Sequence, residues 1–192
     1  MLGAVLIAFA IVAGTVIGLI SGGRLANLTQ PTFRGSQLLV AGVGLQVLSE
    51  VIDAAAVPLI LASYGLLLLF AGANAHHVGM LVVLTGLACN FVVIAANGGM
   101  PVRSEAIVAA GGVDAEEVQG LEFDNKHHLE RPDDRLMMLG DIFPVPVPGF
   151  RQVVSFGDLV MAVGMADVIV HWLRRGPRAA LPARTAGATG PS

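Results

Sequence analysis

Long apolar runs are the feature of this sequence that most restricts its fold. Residues 1–20 carry no charged side chain, and residues 37–73 stay apolar over much more than one membrane crossing. A bilayer core of roughly 30 Å is crossed by about 20 mostly apolar helical residues, so such runs are typical of transmembrane helices. The whole chain agrees, with 55% hydrophobic residues, 13% charged residues and a mean hydropathy of +0.76. These values exclude an ordinary soluble domain and predict an integral membrane protein.

The apolar runs divide into five predicted spans. Glu50, Asp53 and Pro58 interrupt the long run, which favours two helices joined by a tight turn. The first run lacks a basic segment and a convincing cleavage site, so we expect a retained helix rather than a signal peptide. The predicted spans lie near residues 1–20, 37–53, 54–71, 78–96 and 153–173. The predicted fold class is all-α: a polytopic bundle of about five transmembrane helices with a long extracytoplasmic loop, residues 98–152, between the last two.

The basic residues predict how this bundle is oriented. Arg24 and Arg34 lie in the first connection, and further arginines lie in the C-terminal tail. Segments rich in Lys and Arg tend to stay in the cytoplasm, and with five spans these two segments share one side of the membrane. We therefore expect a bacterial plasma-membrane protein with its N-terminus outside and its C-terminus in the cytoplasm. The tail, residues 176–192, has little apolar content and is expected to be a disordered cytoplasmic segment.

The predicted partners are the lipid bilayer and other membrane-protein subunits. Ala10, Gly14 and Gly18 fall four residues apart, so one face of the first helix is small enough for another helix to approach closely. Ordinary apolar filler is the alternative, since Gly is common in transmembrane helices. No nucleic-acid partner is expected, because the basic residues are few and the topology accounts for them.

Polar residues within the spans indicate a candidate site. An ionisable side chain in a span costs about 2.5 to 3.5 kcal/mol, so it usually faces the bundle interior or a wet cavity. Under the predicted topology most such residues lie in the outer half of the bundle, although an interfacial position would equally account for Glu50 and Asp53. The candidate ligand-binding residues, with those of the outer loop, are Glu50, Asp53, Asn90, Asn97, Gly98, Gly99, His127, Asp141 and Asp158.

The stretch NGGMP, residues 97–101, ends the fourth span and has two interpretations. Gly can take the left-handed conformation that closes a helix, and Pro101 forbids its continuation. Alternatively, Gly98 and Gly99 expose backbone amides where an anion, a headgroup or a loop can come close. Asp158 would be unstable in hydrocarbon without a donor, and we expect these amides or a basic side chain of the loop to supply it.

The outer loop contains further structure and no recognisable metal site. Ser104 or Glu105 is expected to start a short helix. The apolar, proline-rich residues 136–150 are expected to lie against the outer membrane surface or over the bundle mouth, carrying Asp141. His127 and its neighbouring histidine lack any ligand spacing of known mechanism, so no metal and no cofactor are predicted.

Four sequence pieces resemble an uncharacterised family of small multi-pass membrane proteins of actinobacteria and related bacteria. The pieces are NGGMPV at residues 97–102, KHH at 126–128, LGDIFPVP at 139–146 and SFGDLVMAVG at 155–164. Their order is more specific than any single piece, and the resemblance covers about residues 90–170. It implies a bacterial plasma-membrane protein and supplies no activity and no catalytic residue.

Two function hypotheses follow from the sequence. In the first, the protein is an accessory or scaffold subunit of a membrane complex, with the outer loop as a docking surface. In the second, it is a transporter or membrane enzyme whose outward-facing polar pocket takes a cation, a proton or a lipid headgroup. Carboxylates that converge on a pocket would favour the second hypothesis. Carboxylates paired with Arg103, Lys126 or Arg135 would favour a latch that holds the loop. The sequence does not decide whether the protein is an enzyme.

Overall fold

The computed structural model describes residues 2–29, 33–111, 113–147 and 150–175 of the 192-residue chain. The predicted cytoplasmic tail lies outside these residues. The helices in chain order are α1 (Leu2–Ile20), α2 (Ser36–Ser49), α3 (Ala56–Ala73), α4 (Met80–Asn97), α5 (Ser104–Ala109) and α6 (Phe156–Arg174). The strands are β1 (Met100–Val102), β2 (His127–Leu129), β3 (Asp141–Val147) and β4 (Phe150–Ser155).

The five long helices pack as a row in the order α2, α3, α4, α6 and α1. Glycine contacts show that α1 and α6 run in the same direction, since Gly14 adjoins Ala166 and Gly18 adjoins Leu173. The other neighbours in the row are antiparallel. Consecutive long helices therefore alternate in direction, as the predicted connectivity requires. We call the end that holds the strands the sheet end and the opposite end, with Arg24, Arg34, Arg174 and Arg175, the basic end.

Among the described residues, three helices are long and apolar enough to cross a membrane. They are Asp53–Ala73, Met80–Asn97 and Phe156–Arg174. Val5–Ile20 and Ser36–Ser49 are shorter apolar helices. At 1.5 Å per residue the 14 residues of α2 extend about 21 Å, less than the roughly 30 Å of a hydrocarbon core. Membrane association is thus supported, and the count of five spans stays a prediction.

The prediction of an all-α fold was wrong for residues 98–152. This segment supplies most of a four-stranded sheet with the order β2-β1-β3-β4. β1 is parallel to both neighbours, and β3 is antiparallel to β4. Pro144 and Pro146 are tolerated because β1 pairs with β3 only at Asp141, which leaves the rest of that side of β3 as an edge. The proline-rich piece, residues 136–150, is largely a hairpin strand, and its expected place against the membrane surface or over the bundle mouth stays a prediction. The short helix expected from Ser104 is confirmed as α5.

The main core lies between α3, α4 and α6, with Met100 of β1 against it. Its buried members include Leu67, Leu87, Val93 and Val168. A second, smaller cluster lies beneath the sheet, where Val102 and Val153 pack against Ala106 of α5 and against Ala110, which follows that helix. The segment after α4 therefore folds around its own apolar cluster while it also rests on the bundle.

Glycines bring α4 and α6 into backbone contact, a feature that the sequence analysis missed. A Cβ built on Gly86 would lie 2.6 Å from the Gly157 carbonyl oxygen, and one built on Gly79 would lie 2.7 Å from that of Gly164. Gly79 and Gly86 are seven residues apart along the chain, as are Gly157 and Gly164. Seven residues are close to two helical turns, so the two glycines on each element lie on the same side of it. This spacing in the two apolar runs is the signal that could have revealed the contact.

The small-residue face of α1 contacts α6 of the same chain. A Cβ on Gly14 would lie 2.8 Å from the Ala166 carbonyl oxygen, and one on Gly18 would lie 2.6 Å from Leu173 Cδ1. Ala10 is also buried. A helix does approach this face closely, as the spacing indicated. However, α6 occupies the place that the sequence analysis assigned to another subunit.

Candidate functional site

A buried polar network joins three helices at the sheet end. Asn90 of α4 donates from Nδ2 to Asp158 Oδ1 at 2.8 Å and to the Tyr64 hydroxyl at 3.2 Å. Its Oδ1 accepts the Ser155 hydroxyl at 2.9 Å. Asn90 is 1% exposed and Asp158 is 8% exposed. The amide of Asn90 thus ties α3, α4 and the start of α6 together.

Asp158 also belongs to the capping box at the N-terminus of α6. The Ser155 hydroxyl accepts from the Asp158 backbone N–H, and Asp158 Oδ2 accepts from the Ser155 backbone N–H. This reciprocal capping box satisfies two N–H groups at the start of α6. Asp158 therefore obtains its donors from Asn90 and Ser155. The expected donors, the amides of Gly98 and Gly99 or a basic loop side chain, are not those that the structure provides.

His127 lies between two carboxylates. Its Nδ1 is 2.5 Å from Asp124 Oδ1, and its Nε2 is 3.8 Å from Asp141 Oδ2. Asp141 begins β3 and is 3% exposed, because β1 and β4 flank it and Ser155 pairs with it across the sheet. An imidazole in this position can accept a proton from one carboxyl group and release it towards the other.

The two acids beside His127 have opposite pKa shifts. Burial, together with the negative charges of Asp158 and Asp124, raises the pKa of Asp141 well above its usual range. Burial also works against ionisation of Asp124. In that case the hydrogen bond and charge of His127, with the charge of Lys126, prevail and lower the pKa of Asp124 to about 2. Asp141 is therefore suited to hold a proton, and Asp124 is suited to remain an anion.

Asn97, Gly98 and Gly99 close α4 and hold the chain that follows it. Gly98 has a φ of 66° and ends the helix in the left-handed conformation, and its N–H donates to the Ile94 carbonyl. The Gly99 N–H donates to the same carbonyl at 3.2 Å. Both amides are therefore engaged in closing the helix. Asn97 binds the backbone of Arg135, accepting its N–H at 2.7 Å and donating to its carbonyl at 2.8 Å.

Glu50 forms an ion pair with Lys126, whose side chain is 10% exposed. This contact joins the end of α2 to the segment before β2. Asp53, by contrast, lies exposed in a short 3-10 turn before α3. We call residues 98–155, which contain the sheet, the cap. The Glu50–Lys126 and Asn97–Arg135 contacts together form what we call the latch between cap and bundle.

His128, the neighbour of His127, also makes contacts within the cap. His128 Nε2 lies 3.0 Å from Asp134 Oδ1, and a Cβ on Gly99 would lie 3.0 Å from His128 Nδ1. Within the described residues no three His, Cys, Asp or Glu side chains are placed to hold one metal ion. A surface cavity of about 330 Å³ is lined by other cap residues: Val108, Gly111, Val113, Asp114, Glu117 and Arg151. None of the predicted site residues lines it.

The model of the family of unknown function DUF5317 matches residues 30–170. The chain belongs to the DUF5317 family. This agrees with the resemblance to an uncharacterised family that the sequence pieces indicated. The matched range includes the buried network, His127, Asp141 and the latch. No curated protein and no solved structure matches the chain. The function of this DUF5317 protein must therefore be argued from its own geometry.

Sequence reasoning missed three residues of the site in this DUF5317 chain. Tyr64 is the only tyrosine and lies in an apolar run, where a hydroxyl needs a partner. Ser155 stands three residues before Asp158, the spacing of a capping box. Asp124 lies three residues before His127 and has no comparable signal, since a turn had to bring the two side chains together.

Proposed function

We propose that the protein is an integral plasma-membrane protein of bacteria that acts as an accessory or scaffold subunit of a membrane complex. In this proposal all five long helices cross the bilayer, and the cap lies on the extracytoplasmic side. The N-terminus is outside, and the tail is in the cytoplasm.

The alternation of the long helices and the distribution of charge support this orientation. Arg24, Arg34, Arg174 and Arg175 all lie at the basic end. The cap, by contrast, contains both acids and bases. A basic end without a matching acidic surface is what the cytoplasmic side of a bilayer favours.

The latch is the observation that carries the scaffold role. Glu50 is paired with Lys126, and Asn97 is bound to the backbone of Arg135, so two candidate residues hold the cap in place. In the buried network, Asn90 uses both kinds of amide group on protein partners. Side chains engaged in this way stabilise a displayed surface. The alternative, an outward-facing polar pocket for a cation, a proton or a lipid headgroup in a transporter or membrane enzyme, needs converging groups with unused hydrogen-bonding capacity.

Single-cysteine labelling tests the orientation. In a Cys89→Ser background, an impermeant thiol reagent applied to intact cells should label Ala115→Cys in the cap and spare Thr185→Cys in the tail. Both variants should be labelled after the cells are permeabilised. The reverse pattern in intact cells would invert the topology.

Affinity purification in mild detergent tests the scaffold role. We expect a membrane protein to copurify in fixed stoichiometry with the tagged chain. Recovery of that partner should fall at least fivefold when Glu50→Gln and Lys126→Met together loosen the cap, and it should persist in the Asp53→Asn control. Recovery of lipid alone, with no stoichiometric protein, would refute the scaffold proposal.

A further inference from the structure

Three side chains at the sheet end form a series from the interior to the surface. The side chains of Asp141, His127 and Asp124 are 4%, 14% and 39% exposed. His127 is the middle member, and its two ring nitrogens face different acids. The geometry thus connects a buried carboxyl group to the solution on the sheet side through one imidazole.

The groups around Asp141 leave it without a Lys or Arg partner among the described residues. Arg103 donates its backbone N–H to the Asp141 carbonyl, but its guanidinium faces Glu130, 3.9 Å away. Lys126 is paired with Glu50. His127 is therefore the ionisable base within 4 Å of the Asp141 carboxyl group.

The remaining neighbours add negative charge or neutral polar groups. Asp158 lies at the start of α6 and Tyr64 lies in α3, and both interact electrostatically with Asp141. Ser155 faces it across the sheet but donates its hydroxyl to Asn90.

The negative charge of Asp158 disfavours ionisation of the buried Asp141 carboxyl group. Asp158 itself accepts hydrogen bonds from Asn90 and from the Ser155 backbone. We propose that Asp141 and His127 form a proton-binding site, in which the buried Asp141 carboxyl group holds the proton and His127 exchanges it with the solution on the side of Asp124. This inference goes beyond the scaffold role and does not depend on it.

The exchange step can be written with every proton assigned. The O–H bond of Asp141 breaks as an N–H bond forms at His127 Nε2, which leaves a carboxylate and an imidazolium. The imidazolium, whose Nδ1 lies against the Asp124 carboxylate, then loses its Nδ1 proton to water and becomes neutral again. The present separation of 3.8 Å exceeds a hydrogen bond, so a small ring rotation or one bridging water must close it.

Infrared spectroscopy of the purified full-length chain in detergent tests where the proton resides. The carbonyl stretch of a protonated carboxylic acid should be present at pH 7 in the wild type. It should be lost in Asp141→Asn and retained in Asp114→Asn, a matched change at an exposed cap residue. Absence of the band in the wild type at pH 7, or its persistence in Asp141→Asn, would overturn the proposal.

A second measurement does not depend on the folding of Asp141→Asn. In His127→Gln the band should persist at pH 7, but its shift on transfer to D₂O should slow at least tenfold. His128→Gln, a matched change of the neighbouring histidine, should exchange at the wild-type rate. Equal exchange rates in wild type and His127→Gln would exclude His127 as the route.

Discussion

At each end of the helix row, an asparagine side chain near a helix C-terminus binds the backbone of a segment that passes it. At the basic end, Asn74 follows α3 and binds the backbone of Arg34, with two hydrogen bonds of 2.8 Å. At the sheet end, Asn97 ends α4 and binds the backbone of Arg135 in the same way. In each case one amide side chain satisfies the donor and the acceptor of a passing peptide near a helix C-terminus, where carbonyls lack helical partners.

The two ends differ in the residues that surround the asparagine. At the basic end, Phe33 packs against Trp172 and His77, with ring centroids 4.9 Å and 5.1 Å away, and Asn27 donates to the Leu173 carbonyl. The sheet end instead buries Asp141 and Lys126 within the folded cap and Asp158 at the start of α6. Short connections can be closed by backbone caps and aromatic packing. A long connection needs its own core, and in forming one it buries charged groups that then depend on specific partners.

Gly157→Ala should have the largest effect, because it attacks the sheet end where the helices touch. A Cβ there would lie 2.0 Å from Asn90 Oδ1 and 2.6 Å from the Gly86 carbonyl oxygen. We expect a loss of about 3 kcal/mol in the free energy of unfolding, at the upper end for overpacking. Denaturant titration in mixed micelles measures it.

Gly65→Ala is the matched control, since a Cβ at Gly65 meets nothing within 4 Å. That helical substitution should be neutral or stabilise by about 0.5 to 1 kcal/mol. Equal losses in the two variants would mean that close approach of α4 and α6 does not govern stability.

Asn90→Ala and Asn74→Ala compare the two ends directly. Removing Asn90 takes a donor from the buried Asp158 carboxylate, so we expect a loss of about 2 to 3 kcal/mol. Removing Asn74 frees backbone groups of the exposed Arg34, which water can reach, so about 1 to 2 kcal/mol is expected. The same denaturant titration gives both values. A larger loss at Asn74 would reverse the proposed difference between the ends.

Asp141 and Asp124, the two acids beside His127, should make the stability of the protein depend on pH in opposite senses. The raised pKa of Asp141 means that the folded protein binds more protons than the unfolded chain above pH about 4, the ordinary Asp pKa. The stability from this group is complete below that pH and falls as pH rises towards the folded pKa. Asp141→Asn should therefore flatten the decline in melting temperature between pH 4.5 and 7.5. An unchanged decline would contradict the burial of an ionisable Asp141.

Asp124 should act in the opposite sense and in a separate window. Its pKa of about 2 means that its stabilising contribution is present above pH about 4 and is lost as pH falls towards 2. Asp124→Asn should reduce the acid-side loss of melting temperature and leave the slope above pH 5 in place. Loss of the upper slope instead would show that the two acids titrate as one unit.

The ion pair of the latch should give the smallest effect. A double-mutant cycle with Glu50→Gln and Lys126→Met should yield a coupling energy of about 1 kcal/mol, because Glu50 is partly exposed. The more exposed Arg103–Glu130 pair, treated as Arg103→Met and Glu130→Gln, should couple by about 0.5 kcal/mol or less. A stronger coupling for Arg103–Glu130 than for Glu50–Lys126 would show that the ion pair of the latch does not hold the cap in place.

The sequence by itself determined the long helices and how most of them end. The fourth predicted span, residues 78–96, coincides with the helix Met80–Asn97, and Gly98 closes that helix with a positive φ. His171 lies four residues after Asp167, one helical turn on, and the two side chains pair at 2.9 Å. Such features are local, because apolar runs, glycines, prolines and neighbours four residues apart act within a few turns of chain.

Only the tertiary structure decided the sheet and the partners of the buried acids. Asn90 and Asp158 are 68 residues apart in sequence, and β1 pairs with strands that begin at His127 and Asp141. No periodicity specifies such pairs, because a strand's hydrogen bonds and a buried carboxylate's donors come from whichever distant segment the fold brings near. The polar residues were therefore visible in the sequence. Packing α4 against α6 and folding the cap over them decided which polar residues form the latch and which form the capping box of α6. It also decided which lie in the series of Asp141, His127 and Asp124.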